Sequence, residues 1–276
     1  MTLVAQPPQT RSPLRVFLTG ASSGIGAALA RHYAGQGAVV GLVARREAEL
    51  QVLARELRAL GGDASVHALD VTDAAALAQA AEIFIDRHGV PDIVVANAGV
   101  SAGTLTECGE DVAVFRRVMD INVMGMVHTF APFIRSMRET GGAEAVTRRR
   151  LVGIASVAGI RGLPGAEAYS ASKAAAISYL ESLRLEMVPA GLRVVTIAPG
   201  YIATPMTAIN PYRMPFLLPA DEAARRFAVA VERGVSYTVI PWQMGWVAKL
   251  LRLLPNAVFD RALSGRPRKQ RSGQNL

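Results

Sequence analysis

The sequence predicts an α/β protein built on one doubly wound parallel sheet with helices on both faces. Short apolar runs alternate with longer helical patterns from Arg15 to Ile240. A glycine-rich turn joins the first run to the first helix. The 276 residues, 51% of them hydrophobic, are ample for a packed core, and the regular alternation argues for one domain rather than two.

Composition narrows the classes. The net charge is +8, but residues 261–276 carry Arg261, Arg266, Arg268, Lys269 and Arg271 with no acid. With those five set aside from the 30 basic residues, 25 remain against 22 acidic ones, which argues against a nucleic-acid binder. The single cysteine, Cys108, excludes an internal disulfide and fits a reducing, cytoplasmic compartment. Four histidines, His32, His67, His88 and His128, lie far apart and form no metal-ligand spacing, so no metal is expected. Residues 1–13 hold Pro7, Pro8 and Pro13 and no apolar core; they read as a loose arm rather than a signal peptide. No apolar run reaches the roughly 18 residues of a membrane span.

The first strand, Arg15–Leu18, runs into Thr19-Gly20-Ala21-Ser22-Ser23-Gly24-Ile25-Gly26 and a helix from about Ile25 to Gln36. Glycines between a strand and a helix let the backbone approach a pyrophosphate, whose charge exposed amides and the helix dipole hold. An ordinary turn would also use glycine, but strand, glycines and helix come in the order a dinucleotide site needs. The second strand, Ala38–Val43, ends at Ala44-Arg45-Arg46, where an NAD site usually places an acid. Guanidinium groups suit the adenosine 2′-phosphate of NADP, with help from the Ser22 hydroxyl; solvated arginines at a helix start are the other reading.

A helix over Glu47–Leu60 precedes the strand Ser65–Leu69, which ends in Asp70-Val71. Asp70 either accepts from an adenine amino group or caps the next turn. A helix over about Ala74–His88 and the strand Asp92–Val95 lead to Ala96-Asn97-Ala98-Gly99, small residues suited to a cofactor floor. A long helical pattern from Asp111 to Arg138 carries Asn122 among Val118, Ile121, Val123 and Met126. That amide is either a structural hydrogen bonder or a holder of a water near the lysine described next. Gly141, Gly142 and Arg148-Arg149-Arg150 precede the strand Leu151–Ala155; a loop entering a strand lies opposite the ligand end of a parallel sheet.

Ser156 closes that strand, and Tyr169 and Lys173, four apart at the start of a helix running to about Met187, share one helix face. An ammonium beside a phenol favours the phenolate, so the spacing predicts that Lys173 lowers the pKa of Tyr169 and fits it for proton exchange with an alcohol or carbonyl. Ser156 can hydrogen-bond the same substrate oxygen. A half-exposed helix face is the simpler reading of a lone Tyr-x-x-x-Lys. Ala171, Ala175 and Ser178 offer a small-residue surface on this helix.

The strand Leu192–Ala198 ends in Pro199-Gly200, followed by Tyr201-Ile202-Ala203-Thr204-Pro205. The Thr204 hydroxyl either reaches a nicotinamide amide or belongs to a turn. Met206–Leu218 has loop punctuation with apolar side chains, including Pro211, Tyr212, Phe216 and Leu217, and suits covering an apolar ligand within a substrate loop, 201–219. A helix over Asp221–Arg233 and the strand Ser236–Ile240 close the sheet. Residues 241–260 form an amphipathic extension before the basic tail 261–276. Trp242, Trp246, Val247, Leu250, Leu251 and Leu254 fall largely on one side of it, which predicts burial as a lid, against a second subunit, or on an anionic membrane surface, the first two being favoured.

Together these residues resemble the short-chain dehydrogenase/reductase superfamily from Arg15 to about Ile240. The resemblance rests on Thr19-Gly20-x-x-x-Gly24-Ile25-Gly26, Asp70, Asn97-Ala98-Gly99, Asn122, Ser156, Tyr169-x-x-x-Lys173 and Pro199-Gly200 in the family's order. It implies a Rossmann-type sheet of about seven strands and hydride transfer between NADP(H) and an apolar carbonyl or secondary alcohol. Tyr169 would be general acid or base, Lys173 would tune it and hold the ribose, Ser156 would orient substrate, and Asn122 would support a water-linked relay. Gly20, Ser22, Ser23, Gly24, Ile25, Gly26, Arg45, Arg46, Asp70, Val71, Asn97, Ala98, Gly99, Pro199, Gly200, Ile202 and Thr204 would line the cofactor with Tyr169 and Lys173. The family's ending, an aliphatic strand followed by Asp-Gly-Gly, is absent, since Ile240 meets Pro241-Trp242. A dimer through the Asn122 and Tyr169 helices is expected rather than the usual tetramer. The alternative function is a non-catalytic NADP-binding sensor or scaffold, whose mark would be a broken catalytic set.

Overall fold

Successive side chains of a strand point to opposite faces, and here both faces are covered. The computed structural model describes residues 12–210, 213–265 and 271 of the chain. Seven strands, β1 (Arg15–Thr19), β2 (Val39–Ala44), β3 (Asp63–Ala68), β4 (Ile93–Ala96), β5 (Arg150–Ile154), β6 (Arg193–Pro199) and β9 (Tyr237–Ile240), form one sheet in the order β3-β2-β1-β4-β5-β6-β9. Every neighbouring pair is parallel. Val16, Leu18, Val152 and Ile154 face a core made with α1 (Gly24–Ala34), α2 (Glu47–Ala59) and α9 (Ala220–Arg233). Phe17, Val43, Leu151 and Val194 face the other, made with α3 (Ala74–His88), α5 (Gly125–Glu139) and α7 (Glu167–Met187). Phe17 packs against the rings of Phe84 and Phe133 there, at centroid distances of 5.4 and 4.7 Å. Strand order reverses between β1 and β4, which opens a crevice at their carboxyl ends.

The expected long helix from Asp111 to Arg138 is helical throughout but not uniform. It divides into α4 (Asp111–Met119), a π-helical turn over Asp120–Met124, and α5. The π turn contains Asn122, and such a slip alters which way a side chain points without ending the helix. Residues read as a loop before the fifth strand form α6 (Gly142–Arg148). Arg149 is buried and donates to the carbonyls of Met137 and Thr140, both at 2.7 Å, so it caps the end of α5. Arg150 opens β5 at the end of the sheet away from the crevice, as expected.

The segment after β6 is more ordered than a loop. β7 (Ile202–Ala203) pairs with β8 (Leu218–Pro219), and α8 (Pro205–Ala208) lies between them. Ile209, Phe216 and Leu217 are exposed. Pro211 and Tyr212 of the expected substrate loop, most of the N-terminal arm, and residues 266–270 and 272–276 of the basic tail lie outside the described residues. The chain then forms α10 (Trp242–Leu253) and α11 (Asn256–Leu263). The inward face of α10 is Met244 and Ala248, whereas Trp242, Trp246 and Leu250 are exposed. The rest of the chain thus leaves the tryptophan side uncovered, which of the three expected burial partners counts against the lid: periodicity finds the stripe, and packing decides which stripe faces inward. Among the described residues no helix is long and apolar enough to cross a membrane.

Candidate active site

The turn after β1 is shaped by its glycines. Gly20 and Gly24 have φ of 69° and 54°, in the left-handed region that side chains disfavour. At Gly26 a Cβ would stand 2.1 Å from the Gly20 carbonyl oxygen, so only glycine lets α1 begin this close to the turn. Asn97, at the end of β4, donates from Nδ2 to the carbonyls of Thr19 and Gly20, both at 3.1 Å. The Thr19 hydroxyl donates to the Val95 carbonyl at 3.3 Å and accepts from the Asn97 amide at 3.2 Å. Its first turn carries no acid, so nothing offsets the positive end of the α1 dipole. These features fit the pyrophosphate of a dinucleotide.

Arg46 donates from Nη2 to Ser22 Oγ at 2.9 Å and pairs with Glu49 at 3.3 Å. Arg45 lies 3.8 Å from Asp70. Both arginine side chains are about half exposed, so their charges remain open to an anion. Asp70 accepts from the Thr72 amide and hydroxyl, at 2.9 and 2.8 Å, and from Arg117 Nη2 at 2.7 Å. Burial opposes its charge, yet the Thr72 donors and the Arg117 guanidinium hold the Asp70 carboxyl below its ordinary value. The turn-capping reading of Asp70 is therefore realised. Arg117 was not anticipated, because no local pattern marks a partner 47 residues away.

Ser156 follows β5 and caps a short 3₁₀ turn, accepting from the Ala158 amide at 3.1 Å. Its hydroxyl is hydrogen-bonded to Tyr169, which projects from the first turn of α7. Lys173, one turn on, is buried and donates from Nζ to the Ile154 carbonyl at 2.8 Å. Gly159 is packed on the Lys173 backbone, where a Cβ would stand 2.6 Å from its carbonyl carbon. The electrostatics differ from the sequence expectation. Burial pushes the Tyr169 hydroxyl above its usual value, and the opposing influence is the Ser156 hydrogen bond rather than the lysine. The Lys173 ammonium is directed to Ile154, with Nζ 5.9 Å from the Tyr169 ring centre, and burial brings its own pKa down to about 8.

Asn122 is fully buried, accepts from the Val100 amide at 2.8 Å, and donates to the Val100 carbonyl and to Ser172 Oγ, both at 2.9 Å. It clamps the chain leaving β4 onto α7, which is the structural reading of that amide. Thr204 likewise belongs to a turn: its amide donates to Thr207 Oγ1 at 3.0 Å, and its side chain lies against Gly24. Every residue expected at the site except Gly26 and Asn122 lines a single cavity of about 330 Å³. Val100, Ile121, Met206 and Thr207 are among the further residues that line it, and no residue of α10 does, so α10 does not cover it as a lid. Among the described residues no group of three or more metal-ligating side chains stands together.

The sequence matches the short chain dehydrogenase family over residues 15–212. It is 38% identical over 246 residues to an uncharacterized oxidoreductase of Myxococcus xanthus, covering 89% of this chain and 94% of that protein. It is 33% identical over 251 residues to 11-beta-hydroxysteroid dehydrogenase-like 2 of Arabidopsis thaliana, covering 88% and 78%. Among solved structures, an alcohol dehydrogenase from the archaeon Thermococcus sibiricus, complexed with 5-hydroxy-NADP, superposes with a TM-score of 0.72 at 27% identity, covering 84% of this chain and 98% of that one.

Proposed function

The chain belongs to the short-chain dehydrogenase family of oxidoreductases, and from that premise we propose that it reduces an apolar ketone or aldehyde, or oxidises the corresponding alcohol, with NADP(H). One observation carries the reading: Ser156, Tyr169 and Lys173 line the same cavity as the glycine turn and the Ser22–Arg46 pair. The bound nicotinamide supplies or accepts the hydride.

The residues of the chain do the rest. Ser156 and Tyr169 present two hydroxyls to the substrate oxygen. Because burial keeps Tyr169 protonated at neutral pH, it suits the general acid of reduction, giving its proton to the oxygen as the carbonyl carbon gains hydride. Lys173 is positively charged at pH 7 and offsets the negative charge left on Tyr169 when its proton goes to the substrate oxygen. Arg46 and Ser22 receive the 2′-phosphate, the glycine turn receives the pyrophosphate, and Val100, Ile121, Ile202 and Met206 give the wall an apolar character suited to the substrate. The exposed Ala171 and Ser178 on α7 leave room for a second copy along that helix.

The test is NADPH oxidation against a panel of apolar ketones and aldehydes, with NADP reduction against secondary alcohols. Turnover that disappears in Tyr169→Phe while NADPH still binds supports the proposal. NADPH binding with no turnover on any member by the unaltered protein would favour a sensor or scaffold instead.

A further inference from the structure

Helix α10 is held firmly yet shows its most apolar residues to solvent. Met244 and Ala248 are its buried side, and Met244 packs on Gly200, where a Cβ would lie 2.6 Å from Met244 Cγ. Arg161 fixes its far end, donating from Nη1 to the carbonyls of Leu251 and Leu254 at 2.5 and 2.8 Å with its guanidinium 3.8 Å from the Phe259 ring centre. On the opposite side Trp242, Trp246, Leu250 and Leu253 are 64, 66, 63 and 81% exposed. Steps of four, four and three residues put them in one stripe, about 16 Å long at about 1.5 Å per residue. Contiguous apolar surface of this kind marks an interaction site.

The charges beside the stripe have one sign. Lys249 lies with Nζ 5.1 Å from the Trp246 ring centre, Arg252 stands in the last turn of the helix, and no acid occurs from Trp242 to Phe259. The sequence then continues into the basic tail. We propose that this face of α10 docks on an anionic lipid bilayer, with the tryptophans and leucines at the acyl boundary and Lys249 and Arg252 among the headgroups. A second copy docking through the same face would set Lys249 and Arg252 against their own equivalents, which charge repulsion opposes. Gly200 both supports α10 and lines the cavity, so docking sets the cavity about one helix diameter, ~10 Å, from the lipid, where apolar molecules concentrate. The proposal stands whether or not the assigned chemistry holds.

The chain has two tryptophans, and both lie on this face, so intrinsic fluorescence reports its environment directly. With vesicles of phosphatidylcholine and phosphatidylserine at low salt, the emission should move to shorter wavelength and the protein should sediment with the vesicles; added salt or pure phosphatidylcholine should weaken both effects. Leu250→Glu with Leu253→Glu keeps the tryptophans and should reduce vesicle partitioning about tenfold or more per leucine, leaving turnover of a soluble substrate unchanged. Unshifted emission with the protein in the supernatant at low salt overturns the proposal. So does a protein that ignores vesicles but changes from dimer to monomer in the double variant, an outcome that assigns the face to a second copy.

Discussion

Lys173 donates from Nζ to the carbonyl oxygen of Ile154 at 2.8 Å, which ties helix α7 to the end of β5 two residues before Ser156. An ammonium buried this fully is costly, and its pKa falls from 10.5 to about 8. Below about pH 8 folded and unfolded chains are both charged there, and the fold bears the cost of burying the charge. Between about 8 and 10.5 the unfolded chain holds the proton more tightly, so stability rises with pH. Relative to Lys173→Met, the wild type should therefore gain on the order of 3 kcal/mol across that window, at about 1.36 kcal/mol per pH unit. Urea unfolding of both proteins at pH 8 and pH 10 measures it, and a constant difference would refute the assignment.

Tyr169→Phe removes one hydroxyl, which Ser156 hydrogen-bonds, and leaves the ring in place. Turnover should fall by roughly 10²–10⁴-fold, the usual worth of a positioned proton donor. The NADPH dissociation constant should stay within a factor of a few, since the phosphate-facing side of the cavity is untouched. Near-full kcat would sink the role given to Tyr169.

Arg46 and Arg45, adjacent in sequence, should not contribute equally. Each has a carboxylate neighbour, Glu49 at 3.3 Å for Arg46 and Asp70 at 3.8 Å for Arg45, but only Arg46 reaches the Ser22 hydroxyl of the glycine turn, at 2.9 Å. A charge-assisted hydrogen bond is worth about 1.5–3 kcal/mol, so Arg46→Ala should weaken NADPH roughly ten- to a hundredfold and barely affect NADH. Arg45→Ala should have the smaller effect. Titration of both cofactors against each variant decides, and equal losses for NADPH and NADH would show that neither arginine reads the 2′-phosphate.

Much of this arrangement is legible in the sequence because its signals are local. Seven apolar runs place the seven strands to within about two residues, since strands buried on both faces tolerate few polar side chains. The glycine turn announces itself because Gly20, Gly24 and Gly26 are required by backbone geometry and close packing. What pattern could not show is contact between distant residues. Arg117 meets Asp70 across 47 positions, and Ser172 meets Asn122 across 50, with no periodicity to mark either pair. The π turn at Asp120–Met124 is a one-residue backbone slip that helix propensity does not register. The Tyr169–Lys173 spacing sets both on one face of α7, but the direction of the lysine depends on the Ile154 carbonyl, which belongs to another element.

Asn122 makes a complementary case, a polar side chain whose removal should act through the backbone. Asn122→Ala leaves the half-buried amide and carbonyl of Val100 without these partners, which should cost about 1–3 kcal/mol of stability. Because Val100 lines the cavity, kcat should fall as well, while Asn122→Leu should show the same stability loss despite restoring volume. Equilibrium unfolding reads the first effect. An unchanged midpoint in both variants would mean that the clamp is dispensable.

Arg271 returns from the far end of the chain to Asp111, donating from Nε to Oδ2 at 2.8 Å and from Nη2 to Oδ1 at 3.1 Å, and it also reaches Glu110 at 2.6 Å. Asp111 in turn accepts the Leu105 amide at 2.8 Å, so one carboxylate joins the C-terminal residues to the segment between β4 and α4. The Arg271 hydrogen bond, followed by the Leu105 amide, holds the Asp111 carboxyl below its ordinary value. A depressed acid contributes stability that is present above its unfolded pKa, about 3.9, and is lost as pH falls through the folded value. Arg271→Ala should therefore lower the melting temperature at pH 7 and speed hydrogen exchange at the Leu105 amide, and both differences from wild type should shrink as Asp111 becomes protonated. A variant whose Leu105 amide exchanges as slowly as the wild type at pH 7 would show that the tether does not order this segment.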